Sequence, residues 1–220
     1  MRIIPTSSTK EMLEGVAEFG PTTRGDASGI ARTRVAYAKA RVPVGTMPPT
    51  EQSAAIEAAL DKLGARLQFE RSGTRLYEAL ISKVDAYGTF AGGPSRDELQ
   101  DIRNEEHHHA LLAQEIIESL GGDPRILTPC ANLQATASRG LCDVLTDPRT
   151  SLVEGLDAII VAELVDRESW EQLVASLQVA SVRDDLMSQV REALTTEEEH
   201  LRLVRVWITA ARAARAGANT

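Results

Sequence analysis

The chain has 220 residues, 43% of them hydrophobic and only 4% aromatic, enough for a sizeable buried core; alanine, leucine, glutamate and arginine dominate, which predicts an all-α protein. A formal net charge of −8 would repel phosphates, no apolar run approaches the ~18 residues of a membrane span, and no signal peptide opens the chain, so a cytoplasmic protein without nucleic-acid or membrane partners is expected. Cys130 and Cys142 have neither CxxC spacing nor a secretory context, which excludes a zinc ribbon, a rubredoxin-type iron site and a disulfide scaffold.

Residues 1–50 lack a sustained period and are punctuated by Pro5, Gly15, Gly20, Pro21, Pro43, Pro48 and Pro49, which predicts an irregular N-terminal arm. Residues 51–216 read as a helical bundle. In its first helix Ile56, Leu60, Leu63, Leu67, Ile81 and Val84 share one face, with Thr50 as N-cap and Gly88 as stop. The second begins with the capping box Ser95-x-x-Glu98, carries Leu99, Ile102, Ala113, Ile116 and Leu120, and ends at Gly121-Gly122-Asp123-Pro124. Residues 121–147 form a crossover insertion long enough to run the length of the bundle, with a short helix whose apolar pattern is Leu133, Ala137, Leu141 and Val144. A third long helix follows Asp147-Pro148 as N-cap and first helical residue, with Leu152, Leu156, Ile159, Trp170, Leu173 and Leu177 on its stripe. The fourth starts near Ser181 and shows Val190, Leu194, Leu201, Val204 and Ile208. Short links make each helix pair an antiparallel hairpin, so the expected architecture is two hairpins joined by one long crossover.

The informative residues interrupt these stripes. The apolar register places Glu70 and Tyr77 inward on the first helix, Glu106 and His109 on the second, Glu163 and Asp166 on the third, and Glu197 on the fourth, with His200 one turn further. Ionised carboxylates are rarely buried unless paired or bound to a cation. Each of four helices carries one, and two of these are followed three residues later by histidine, so a dinuclear metal site is the economical account. A Glu-x-x-His pair occupies adjacent turns of one face, so both side chains can reach the same metals. Four carboxylates also balance two divalent cations, and mixed carboxylate and imidazole donors suit iron or manganese better than zinc or calcium.

The second helix offers two frames within Glu105-Glu106-His107-His108-His109. His109 falls near the centre of the apolar arc and His108 about 110° away, which selects Glu106 and His109. His107 and His108 are then surface residues or outer neighbours of the site.

Glu70…Glu106-x-x-His109…Glu163…Glu197-x-x-His200 resembles the ferritin-like di-iron carboxylate superfamily, and residues 109–122 resemble the second helix of bacterioferritin- and rubrerythrin-like proteins. The resemblance covers about residues 55–210. It implies a ferritin-like four-helix bundle holding two iron ions: Glu70 and Glu163 as terminal ligands, Glu106 and Glu197 as bridges, His109 and His200 each capping one metal. Tyr77 matches a tyrosine that in bacterioferritins hydrogen-bonds a ligand or donates an electron; a core aromatic is an equal reading. Asp166 reads either as acceptor for a ligand histidine N–H or as partner of Arg167 or Arg202, and Trp170 as core packing. The rubredoxin-like cysteine set, a haem-ligating methionine and the fifth helix of ferritin cages have no counterpart.

The function these features imply is oxidation of Fe(II) or a small substrate by dioxygen or peroxide, in a pocket walled near Thr74, Ala113 and Ile159. Alternatives are manganese catalase-like peroxide disproportionation and a non-catalytic metal-binding or structural bundle. Homodimerisation is expected by analogy with the fold.

Overall fold

The computed structural model describes residues 14, 28–32, 35 and 53–217. Every regular element among them is a helix. The chain divides into two units, Met1–Val44 and Gly45–Thr220. The described residues of the N-terminal arm, 14, 28–32 and 35, are helical; Thr50 lies outside the described residues.

The second unit contains α1 (Ala54–Tyr87), α2 (Arg96–Ser119), α3 (Pro129–Thr146), α4 (Leu152–Val179) and α5 (Asp184–Gly217). None is long and apolar enough to cross a membrane. Side-chain polarity at the ends sets their limits. Ser53 caps α1, accepting from the Ile56 amide, and Gly88, at φ 76°, stops it. Ser95 and Glu98 form the expected box at α2.

Two expected starts are corrected. α4 begins at Leu152 behind a second capping box, Ser151 with Glu154, while Asp147 closes α3 and turns its carboxylate onto Arg149. The buried Lys83 ammonium fixes this link by donating to Asp147 O, Thr150 O and Thr150 Oγ1. α5 begins at Asp184, because Ser181, at φ 56°, is the left-handed residue that terminates α4.

Pairs of contacting residues give the helix directions. Asp85 meets Arg96 and Glu78 meets Arg103, so α1 and α2 run antiparallel. Tyr77 meets Glu163 while Glu70 meets Trp170, which makes α1 and α4 antiparallel. His200 meets Glu105 while Glu197 meets His109, giving the same relation for α2 and α5. α4 packs on α5, so the four long helices close a ring. Consequently α2 and α4 point the same way, and the chain must travel the bundle's length between them. α3 makes that journey against α1 and α4: Thr128 at its start bonds Asp61 O, and Asp147 at its end bonds Lys83.

The inward face of α3 differs from the expected stripe. Ala131, Ser138 and Leu145 are buried, whereas Leu133 is 67% and Val144 38% exposed. A short helix laid over two others buries a narrow face at heptad spacing, here Ala131, Ser138 and Leu145, and leaves Leu133 and Val144 to either side of it.

The core forms two apolar halves. Leu60, Leu63, Leu67, Ile116, Trp170, Leu177 and Val190 fill one; Leu76, Leu80, Leu99, Leu156, Ile159 and Val204 fill the other. Along α2, α4 and α5 at least two turns separate the halves, and those turns carry Glu106, His109, Glu163, Asp166, Glu197 and His200; on α1 the halves meet at Leu67 and Phe69, beside Glu70.

Candidate metal centre

Glu70, Glu106, Glu163 and Glu197 are 0–2% exposed, His109 7% and His200 1%. All six lie inward as expected, and so do Tyr77 and Asp166. The frame of the second helix is also settled by burial: Glu106 and His109 are buried, while Glu105, His107 and His108 are exposed.

Their ligand atoms converge. Glu106, Glu163, Glu197 and His200 form one group with ligand atoms within 4.8 Å of one another; Glu70, His109 and Glu197 form a second; Glu70, Glu106, Asp166 and Glu197 form a third. Glu197 belongs to all three. Glu70 Oε2, Glu106 Oε2, Glu163 Oε2, Glu197 Oε2 and His200 Nδ1 are buried without a hydrogen bond. Such atoms are costly to desolvate unless a cation takes them up, so this cluster could hold a metal ion.

The outer atoms of the same groups are held by the protein. Tyr77 donates its hydroxyl to Glu163 Oε1 at 2.5 Å, so it contacts the site as well as filling the core. Trp170 Nε1 donates to Glu70 Oε1 at 2.8 Å, a polar role beyond the packing expected of it. His200 Nε2 lies 2.7 Å from Glu105 Oε2, and its Nδ1 lies 3.5 Å from Glu106 Oε1 and 3.3 Å from Glu197 Oε2. His109 Nδ1 faces Glu197 Oε1 at 2.6 Å.

Asp166 corrects both readings made for it. Arg167 pairs with Glu171 and Arg202 with Glu199, and the histidine acceptor is Glu105. Asp166 instead pairs with Arg66 Nη2 at 2.7 Å, and Arg66 Nε reaches Glu70 Oε1 at 2.6 Å. Arg66 is 3% exposed, and its guanidinium carbon lies 4.9 Å from the Phe69 ring centroid and 5.5 Å from that of Trp170. A charged residue among leucines at the start of a stripe gave no signal of this in the sequence. Gly73 was equally silent: a Cβ there would overlap Glu106 Oε2, so its hydrogen is what admits that carboxylate between α1 and α2.

Crowded carboxylates shift one another. Burial, reinforced by Glu106 and Glu197, holds Glu70 and Glu163 well above the usual carboxylate range, although Arg66 opposes this at Glu70 and His200 at Glu163. Burial also raises Asp166 despite Arg66, and raises Glu106 despite His200. Burial works against Glu197 too, but its close contacts with His109 and His200 outweigh it and bring its carboxyl down to about 2. Burial disfavours the His200 imidazolium, and the bonds to Glu105, Glu106 and Glu197 overcome that and raise it.

Ala113 and Ile159 pack into the two core halves, and Thr74 Oγ1 bonds Glu70 O. The opening that touches the site lies elsewhere, between α2 and α5: a groove of about 360 Å³ bordered by Glu98, Asp101, Glu105, Glu199, His200 and Leu203. The chain matches no protein-family model, no curated protein and no solved structure.

Proposed function

We propose that the chain is a ferritin-like di-iron carboxylate protein. In this reading Glu70 and His109 would hold one iron, Glu163 and His200 the other, and Glu106 and Glu197 would be shared between them. The observation that carries it is the overlap at Glu197 of two ligand groups, each containing one histidine, between two apolar halves of a bundle. The helix order supports it, since two hairpins joined by a lengthwise crossover is the connectivity of that superfamily.

When bound, the iron pair supplies the redox chemistry, oxidation of Fe(II) or a small substrate by dioxygen or peroxide. The chain's own residues orient it. Glu105 fixes the His200 tautomer, Trp170 and Arg66 hold Glu70, and Tyr77 holds Glu163, where its phenol is the candidate electron donor. The groove between α2 and α5 leads to His200 past Glu98, Asp101, Glu105 and Glu199. Of these acids Glu199 is paired with Arg202, and the remaining negative charge of the entrance would concentrate cations and favour Fe(II) over an anionic organic substrate.

The test is metal analysis by mass spectrometry on untagged protein, beside a Glu106→Ala, Glu197→Ala double variant. We expect about two iron per chain, lost in the double variant, and dioxygen uptake when Fe(II) is added to the wild type. Manganese in place of iron would redirect the assay to peroxide disproportionation. No bound metal and no anaerobic Fe(II) uptake would sink the reading.

A further inference from the structure

Glu70 and Glu163 occupy equivalent places on α1 and α4, yet their surroundings differ in charge. Glu70 Oε1 is ion-paired with Arg66 Nε at 2.6 Å and accepts a hydrogen bond from Trp170 Nε1 at 2.8 Å, while Oε2 faces His109. Glu163 Oε1 receives the neutral Tyr77 phenol. Its ion-pair neighbour is His200, itself a member of the cluster, at 4.0 Å.

Arg66 also takes Asp166, which otherwise completes the third ligand group with Glu70, Glu106 and Glu197. The guanidinium thus already stands where a cation would draw Glu70 and Asp166 together. Stacked near Phe69 and Trp170 and buried, it is held in place by packing as well as charge.

We infer that Arg66 makes the two metal positions unequal, so that the Glu163–His200 position fills first and the Glu70–His109 position second. This rests on the dinuclear reading above. The physical reason is short-range: a guanidinium on one oxygen of a ligand carboxylate withdraws negative charge from the other oxygen and repels an incoming dication, while a phenol does so far less. Changing such an outer partner typically alters metal affinity about 10–100-fold, which is the size of the expected gap.

The experiment is an anaerobic titration of the full chain with Co(II), followed by calorimetry and by the visible absorption of the bound ion. Wild type is expected to bind in two steps, the second at least about tenfold weaker. Glu70→Gln should abolish the weak step and keep the tight one, and Glu163→Gln should remove the tight one. The paired change Arg66→Met, Asp166→Asn removes both charges together, a replacement that buried ion pairs often tolerate, and should narrow the gap. Arg66→Lys keeps a cation beside Glu70 and should retain the two steps.

Two equal steps in wild type would overturn the inference while leaving the dinuclear reading intact, as would loss of the tight step in Glu70→Gln or an unchanged gap in the paired variant. Absence of any Co(II) binding would overturn both. The wild-type and glutamine titrations decide the order of filling even if the paired variant does not fold.

Discussion

Gly73 and Gly140 are both helical glycines, and they make opposite predictions. Glycine in a helix usually costs about 0.5–1 kcal/mol relative to alanine. At Gly140 a Cβ would meet nothing within 4 Å, so Gly140→Ala should stabilise the protein by about that amount in chemical denaturation. At Gly73 the same methyl would displace the Glu106 carboxylate, the free end of a side chain, so the fold should survive Gly73→Ala while metal uptake falls. Retained metal content in Gly73→Ala would show that Glu106 needs no such gap. The same contrast explains what was legible at this scale. Glu106 could be told from Glu105 because its neighbour His109 lay on the apolar arc, and burial follows that arc. Arg66 and Gly73 could not be singled out, since their roles depend on α4 and α2 respectively, and nothing local encodes the neighbour.

At the scale of elements, end signals were readable and their exact placement was not. The Ser95–Glu98 box was found, but the third long helix was read as starting at Asp147-Pro148, whereas it starts behind Ser151–Glu154, with Lys83, far away in sequence, donating to the Asp147 carbonyl. Removing the cap hydroxyl in Ser151→Ala should cost about 1 kcal/mol. Ser181 supplies the converse case. Its φ of 56° lies in the left-handed region, and its amide bonds Gln178 O while that of Val182 bonds Leu177 O. Because glycine adopts this conformation without steric penalty, Ser181→Gly is expected to stabilise by roughly 0.5–1 kcal/mol. An unfolding midpoint that drops instead would mean that the serine side chain contributes more than its backbone strain costs.

For the whole molecule, the buried acids set how stability depends on pH. Burial first of all raises the folded-state values of Glu70 and Glu163 well above 4.5, so their neutral forms favour the metal-free fold and stability falls as pH rises through those values. Glu197, lowered to about 2, acts the other way, and its contribution is present above its ordinary 4.5 and lost only as pH falls toward 2. Above the ordinary 4.5 the raised groups therefore decide, and the chelator-treated protein should melt at lower temperature as pH rises from there toward their folded-state values. A bound dication requires deprotonated ligands, so the metal-induced rise in melting temperature should grow over the same interval. Paired thermal melts with chelator and with Mn(II) measure both slopes, and a metal-free melting temperature that climbs with pH would contradict the assignment of these acids as strained without a cation.

Composition and periodicity determined the helical class, the four long segments, the crossover and the seven inward acids and histidines, because burying an amphipathic stripe is a local property of spacing and polarity. The inward face of α3 escaped it, since a single short helix draped over two others is phased by the surface beneath it. Tertiary structure decided which outer groups hold the cluster: Glu105 on His200, Tyr77 on Glu163, and Arg66 with Trp170 on Glu70. Those partners come from different helices, and a hydrogen bond between helices depends on depth and rotation that no single stripe contains.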